Sequence, residues 1–555
     1  MEKLLYSKRK QTCPIPFGVG AVLLMAFFWI SLFSGVAPLF ANSPLSRTIL
    51  SVEVTGNTLL RQDQINEVIA PFIGKDLSLN ELNRIVSAMT ETYRRNRFFM
   101  VKVSLPAQEI KAGRVQVAVL EGQVGSFSVT GNQFYNTSFI EKHFVDSDIP
   151  AGAGPPPSLE WFKRATLLLN DYPDLKAELL FKPGMAIGTA DLEVVIKDEQ
   201  PIHALLDYNN FGSKAVSRYR FGIGFEMGNL IEDGHNLSSR FVVGSPVHDL
   251  TYYQGKYTAP LGYTGKKGHL TYARGNFDVA NLNANIKTES VGLSVSYPFL
   301  KTHLQALSGE IGFEANNVRQ TILQSRDRIR VLRGKAHYKR FAEGTRDFLS
   351  ITLSQGLGSF LGGTENDSLV TSRPGADDLF TKATVDWVRV RSIPQPYFIP
   401  HRHSLIIAGA AQVSSDSLVV SEQFLVGGGD SVRGYPFGEF LGDDGYFVSS
   451  ELRVSPFTDP KKIQTAIFLD HGGSFTKQSS AGGTHHSLTG VGFGVRFNFP
   501  GTITLQELDS ETETPGYFID YRFQIRADVG FPVGDRAVSQ QGRSPIFYLQ
   551  AIGRF

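Results

Sequence analysis

Between Phe518 and Phe531 the odd positions are all apolar: Ile519, Tyr521, Phe523, Ile525, Ala527, Val529 and Phe531. The even positions between them include Asp520, Arg522, Gln524, Arg526 and Asp528. Successive side chains of a β-strand point to opposite faces, so this segment carries one apolar face and one charged face. The parity continues through Phe547, Leu549, Ala551 and Phe555. A soluble sandwich alternates in the same way but rarely repeats the pattern over hundreds of residues beside so many glycines, 55 in this chain. A transmembrane β-barrel needs the pattern in every strand, because one face meets lipid and the other water. From about Pro201 onward helical periodicity is absent and about sixteen alternating segments follow one another, a number within the range of single-chain barrels. The first begins near Ile202 and the last near Pro545. Some connections are short, such as Gly228 to Gly234; others read as long polar loops, such as Gly472 to Ser487.

Composition excludes other classes. Charged residues make up 19% of the chain, too many for a helical membrane protein, and a net charge of +2 gives no electrostatic case for nucleic acid. The one long apolar run, Ile15 to Phe40, follows Lys8, Arg9 and Lys10, which predicts a secretory signal peptide over residues 1–41. Cleavage there removes Cys13, the only cysteine, and with it disulfides and thiol catalysis.

An internal repeat organises the first third. Val54-Thr55-Gly56-Asn57 reappears as Val129-Thr130-Gly131-Asn132, each time closing a short alternating strand. After each copy the pattern predicts helix, helix, strand, strand. In the first unit Ser78 and Glu81 stand at capping-box spacing before a helix whose Leu82, Ile85, Val86, Met89 and Tyr93 share a face. Phe99, Val101, Val103 and Leu105 then alternate with Met100, Lys102 and Ser104. In the second unit Pro155 to Pro157 form a loop before a helix over Ser158 to Asn170. The fold class expected is therefore two α+β repeats, residues 48–122 and 123–199, followed by an all-β barrel over 200–555.

The longest loop lies between the eleventh and twelfth barrel strands, residues 424–446. It contains Gly427 to Gly429, but no Lys-Ser or Lys-Thr follows and no helix opens there, so a phosphate cradle is excluded. It also contains Val432-Arg433-Gly434-Tyr435. Here the chain resembles the outer-membrane superfamily that joins POTRA domains to a sixteen-stranded barrel, in which a Val-Arg-Gly-Tyr loop folds back into the lumen. Phe468-Leu469-Asp470 on the thirteenth strand is a second match. Thr465, Ile467 and Leu469 share one face, so Phe468 and Asp470 look inward, and Asp470 stands where the folded-in Arg433 needs a carboxylate.

Two POTRA-like units make the chain most similar to the two-partner secretion transporters (the TpsB class, haemolysin activator and filamentous haemagglutinin transporter type). Leu105-Pro106-Ala107-Gln108, Gly113 and Leu120-Glu121-Gly122 fit that class. Asn96-Arg97, Gly553 and the short segment before the first unit depart from it. The resemblance implies an outer-membrane pore with periplasmic POTRA domains that exports, and in some cases activates, a large unfolded β-helical partner without ATP. It also implies insertion by the barrel-assembly machinery with Phe555 as terminal signal, and contact with outer-membrane lipid. The alternatives are a factor that inserts other barrels, which normally carries more POTRA units, and a passive porin, which explains neither the repeat nor Val432 to Tyr435.

No catalytic residues, cofactor or metal are expected. Gly-x-Ser-x-Gly and His-Glu-x-x-His are absent, and His401, His403, His485 and His486 read as solvated loop residues. The strand around Met100, Lys102 and Ser104 is a candidate open edge for binding the partner, to be blocked by proline at 102. Only Asn42 to Arg47 lie between the expected cleavage site and Thr48. That is too short for a pore-plugging helix, so the loop over Phe424 to Tyr446 closes the lumen alone, or the lumen stands more open than in plugged relatives.

Overall fold

The computed structural model describes residues 48–145, 159–186, 188–279, 284–322, 324–364, 371–376, 378–393, 403–455, 462–477, 484–500, 521–534 and 544–555. The expected signal peptide, Cys13, the segment 42–47, Pro155 to Ser158, His401 and the start of the Phe518 segment lie outside them.

The first repeat comprises β1 (Ser51–Thr55), α1 (Gln62–Ile69), α2 (Leu79–Arg95), β2 (Val101–Ser104) and β3 (Arg114–Glu121). The second comprises β4 (Gln123–Thr130), α3 (Thr137–Val145), α4 (Leu159–Leu169), β5 (Leu175–Pro183) and β6 (Thr189–Asp198). Each makes a three-stranded sheet, ordered β1-β3-β2 and β4-β6-β5. The helices bury Ile65, Ile85, Met89 and Tyr93 on the first sheet, and Phe139, Ile140, Phe162 and Leu169 on the second. Ser78 accepts the Glu81 amide at 3.3 Å and caps α2. The repeated tetrapeptide has a steric cause. Gly56 and Gly131 hold φ of +80° and +87°, and a Cβ at either would strike the carbonyl oxygen of Val119 or Ile196 on the central strand.

Sixteen antiparallel strands close into a barrel. In chain order they begin with β7 (Ile202–Asn209), β8 (Arg220–Gly228), β9 (Asn236–Gly244), β10 (Leu250–Pro260) and β11 (Lys267–Val279). Next come β12 (Ala284–Lys301), β13 (Gln305–Gln320), β14 (Ser325–Ala342), β15 (Thr345–Gly356), β16 (Thr381–Ile393) and β17 (His403–Ser414). A two-stranded hairpin, β18 (Phe424–Val426) and β19 (Phe440–Gly442), interrupts the series. The wall resumes with β20 (Asp444–Val454), β21 (Ile463–Thr476), β22 (Thr484–Pro500), β23 (Tyr521–Val533) and β24 (Ile546–Arg554), which pairs with β7. The Phe555 amide donates to Ala204 at 2.9 Å and its carbonyl accepts from Ala204 at 3.0 Å. Asn210 extends this seam with its side chain, donating to Phe547 at 3.0 Å and accepting from Leu549 at 2.7 Å.

The second unit sits against one end of the barrel. Asp233 in the β8–β9 turn accepts the Asn136 amide at 3.0 Å, and Tyr263 in the β10–β11 turn packs edge-on to Phe139 and His143. Asp171 pairs with Lys301 on β12, and Arg164 donates to the Pro298 carbonyl at 2.7 Å. The β15–β16 connection and the lumen hairpin leave from the opposite end.

Several expectations are corrected. Gly472 to Ser487 is not one loop: β21 runs to Thr476 and β22 starts at Thr484, because the ladder continues past the apolar band to Thr476↔Thr484. His403 lies in β17 and is buried, while His485 and His486 lie in β22 and stack on Phe475 and Phe440 at 4.4 and 4.2 Å. Polar residues on a strand that outruns the membrane look like a loop in sequence. Phe99 does not share the face of Val101 and Val103. It precedes β2 and packs 6.3 Å from Phe162 and 5.1 Å from Phe181 of the second unit.

Candidate functional site

The hairpin of β18 and β19 carries the long loop into the lumen, with Phe424↔Gly442 and Val426↔Phe440 paired. Its tip turns on Gly427, Gly428 and Gly434, at φ of +105°, +116° and +102°, conformations side chains rarely adopt. Val432, Val426 and Tyr435 bury with Leu488 of β22 in a small apolar cluster. That cluster leaves Arg433 aimed at the wall.

Parity places the wall side of the site. Ile467 and Leu469 are 64% and 52% exposed on the outer face, and Phe468 and Asp470 are buried on the inner one. Arg433 Nε lies 2.7 Å from Asp470 Oδ2 and Nη2 lies 2.9 Å from Oδ1, a bidentate fork; its backbone amide donates to Oδ2 at 3.1 Å. Nη1 reaches Glu451 at 2.6 Å and Asp528 at 3.3 Å, and Nη2 reaches the Ser449 hydroxyl at 3.3 Å. The guanidinium carbon sits 3.3 Å over the Phe468 ring. Burial alone would push the Arg433 pKa down, but hydrogen bonding and attraction from Asp470, with Glu451 and Asp528 behind, raise it, so the charge is held.

The surrounding wall is a charge lattice. Arg496 bridges Asp528 and Glu451, Arg453 donates to Glu451 at 2.6 Å, and Arg526 bonds Asp528 at 2.8 Å and the Gly429 carbonyl at 2.9 Å. Two glycines make room for the loop's backbone: a Cβ on Gly490 would strike the Arg433 carbonyl, and one on Gly530 the Gly434 amide. On the last strand the Tyr548 hydroxyl accepts from Gly434 and donates to the Tyr435 carbonyl. Tyr435 donates to the Thr489 carbonyl at 3.0 Å.

The structure therefore brings Val432, Arg433, Gly434, Tyr435, Phe468 and Asp470 together. Sequence reasoning missed Glu451, Arg496, Asp528, Gly490, Gly530 and Tyr548. Their inward parity was readable, but nothing in it distinguishes a loop partner from any other lumen residue.

The loop over Phe424 to Tyr446 is not alone among the described residues. Arg373, in the β15–β16 connection, pairs with Asp443 at 2.5 Å and donates to the carbonyls of Leu418 and Lys477 at 3.0 and 2.7 Å. Ala376 and Phe380 pack on Leu418, Val419, Ile329 and Val331. Glu422, just before β18, is clasped by Arg333 of β14 at 2.8 Å and Lys382 of β16 at 2.6 Å. Burial opposes its ionisation, yet those two cations hold Glu422 below the usual carboxylate range.

In the first unit β2 is an edge of its sheet, and Lys102 is exposed. Gly122 N–H donates to the Met100 carbonyl, and the register pairs Lys102 with Leu120. The backbone groups of Met100, Lys102 and Ser104 therefore turn inward to β3, and those of Val101 and Val103 turn to the open edge. Proline at 102 would break the sheet itself, so the blocking position moves to 101. Among the described residues no group of three or more His, Cys, Asp or Glu is placed to hold a metal ion.

Comparison with known proteins points one way. Residues 188–497 match the family described as haemolysin secretion/activation protein ShlB/FhaC/HecB, and residues 48–122 match the POTRA domain, ShlB-type. The heme/hemopexin transporter protein HuxB of Haemophilus influenzae strain 86-028NP is 24% identical over 470 residues, 80% of this chain and 79% of that protein. The outer membrane transporter CdiB of Dickeya dadantii strain 3937 is 23% identical over 528 residues, 90% of this chain and 88% of that one. Among solved structures, CdiB from Escherichia coli superposes with a TM-score of 0.71 at 16% identity, covering 94% of this chain and 93% of that one. BamA from Haemophilus ducreyi lacking POTRA domains 1–3 gives 0.53 at 13% identity, over 92% of this chain and 100% of that one, a likeness of fold.

Proposed function

The chain belongs to the haemolysin secretion/activation family, the two-partner-secretion transporters of the outer membrane, and from that membership we propose what it moves and how. Its cargo is one large, unfolded, β-rich exoprotein, received by the periplasmic POTRA units and exported through the barrel without ATP. Folding of the cargo outside makes each step irreversible. No residue performs bond chemistry in this cycle.

The observation that carries the reading is the seat of Arg433. A buried ion pair adds little net stability, because desolvation offsets its attraction, but losing one partner costs about 3–5 kcal/mol. Such a contact defines one closed position for the loop without making that position permanent. A passive pore has no need of it. In the cycle we propose, the cargo adds a strand to the Val101–Val103 edge, where main-chain hydrogen bonds give affinity with little demand on sequence. The loop then leaves its seat as the cargo enters. Phe555, paired with the first strand and its side chain turned to lipid, supports a role as the signal by which assembly machinery inserts the barrel.

Deleting the gene tests this. Loss of one large secreted protein, with the outer-membrane barrel proteome unchanged, is the expected outcome. A general loss of barrels would instead identify an assembly factor.

A further inference from the structure

The outer face of β11 to β14 changes character abruptly toward the end of the barrel remote from the POTRA units. Register fixes the rows. Leu270, Leu293, Phe313 and Leu332 lie side by side, with Leu293 63% and Leu332 43% exposed. On β13 the apolar outer positions run from Leu307 to Ala315. That is roughly 27 Å of strand and, after a tilt of about 40°, about 20 Å of membrane height. The row beyond Ala315 brings Arg274, Glu289, Asn317 and Arg328 together, and the next brings Asn276, Lys287, Arg319 and Arg326.

Arg274, Lys287, Arg319, Arg326 and Arg328 are all exposed. Arg319 and Arg326 are direct cross-strand neighbours, and Lys287 is the direct neighbour of Arg319 on its other side. Like charges opposite one another destabilise a ladder. The acids nearby, Glu289 and Asp278, accept from Tyr272 and Asn285, and Glu289 faces Arg274 across the ladder, which leaves Lys287, Arg319, Arg326 and Arg328 as a cluster of excess positive charge. A second feature adjoins the cations. The connection after β15 crosses the top of β14, with Thr364 donating to Arg328 and Leu357 to Arg330, each through its backbone amide. It leaves Phe360 and Leu361 exposed at 55% and 63%, and the Leu361 carbonyl accepts from Arg330.

We propose that this patch is a binding site for a phosphorylated glycolipid of the outer leaflet, of the lipid A class. Arg319, Arg326 and Lys287 take a headgroup phosphate, and Arg328 takes a second or the adjoining sugar. Phe360 and Leu361 lie beside the acyl chains that run down over Leu293 and Phe313. Guanidinium forks suit phosphate oxygens, and the anion removes the repulsion between Arg319 and Arg326. The site lies on the outside of the wall, away from the lumen loop, so it rests on the membrane placement of the barrel and not on the identity of the cargo.

The test uses the full mature chain in neutral detergent, titrated with bisphosphorylated lipid A, phosphate-free lipid A, phosphatidylglycerol or inorganic phosphate, and followed by native mass spectrometry and by the temperature of the heat-modifiability shift. Bisphosphorylated lipid A should bind and raise that temperature, and the other three should do neither. The Arg319→Ser/Arg326→Ser/Arg328→Ser variant should lose on the order of a hundredfold in affinity, whereas Arg340→Ser near the periplasmic rim should lose none. Equal binding of phosphate-free lipid A, or of phosphatidylglycerol, would overturn the proposal, as would an effect of inorganic phosphate alone or an unaffected triple variant. If the triple variant does not insert, the ligand comparison on the unmodified protein still decides.

Discussion

Tyr548 holds Gly434: its hydroxyl accepts the glycine's amide proton at 3.0 Å and donates its own to the neighbouring Tyr435 carbonyl at 2.7 Å. The last strand of the barrel thus fixes the backbone of the turn whose side chain, Arg433, is fixed by β20, β21 and β23. Removing the hydroxyl alone, in Tyr548→Phe, leaves the ring against Phe211 but strands a buried amide and a carbonyl. That costs about 1–3 kcal/mol, and single-channel recording should show more frequent opening with an unchanged maximal conductance. A closed-state occupancy equal to that of the unmodified protein would show that Tyr548 only packs.

Arg433→Ala and Asp470→Ala should each impair export while the barrel stays heat-modifiable in gels. The two share one interaction, so the double variant should be no worse than either single. Fully additive losses would mean that Arg433 is held mainly by Glu451 and Asp528.

Gly490→Ala changes no charge, yet its methyl group would meet the Arg433 carbonyl. Loss of loop seating comparable to that in Arg433→Ala is expected, seen as faster proteolysis within residues 424–446 of otherwise intact protein. Wild-type protease resistance would show that the wall shifts to accommodate the methyl.

Arg373→Ala should loosen the β15–β16 connection from Asp443 and raise resting conductance. Arg373 and Arg433 share no partner, so the effects of Arg373→Ala and Arg433→Ala should add. A double variant matching the stronger single would reveal one coupled closure instead of two.

For partner capture, Val101→Pro removes an amide that faces the open edge and should weaken cargo binding by the folded protein, while Lys102→Ser, which alters only a side chain, should not. Unchanged affinity in Val101→Pro would exclude the β2 edge.

The barrel was legible because lipid and water impose opposite demands on alternate residues, and the sequence obeys them from Ile202 to Phe555. The pairing of Arg433 with Asp470 was legible only through family resemblance and parity together, since no periodicity links a loop to a strand thirty-seven residues on. Glu451 and Asp528 were hidden because every inward charge looks alike until the loop is placed. Gly490 and Gly530 looked like ordinary strand glycines. The β2 edge was misread at the level of hydrogen-bond direction, because side-chain alternation does not reveal which amides face the neighbouring strand.

Phe99 leaves the first unit to pack between Phe162 and Phe181 of the second, and the second is tied to the rim through Asp171, Asn136 and Arg164. The two N-terminal units and the barrel are consequently links of one continuous chain of contacts, not beads on a string. In the cycle proposed above, a cargo segment captured on the first unit would be tethered at a set distance from the entrance, and the segment that follows it would meet the pore at an effective concentration set by geometry instead of by its abundance. Adding slack at the Phe99 joint would dilute the cargo without touching either its binding edge or the channel.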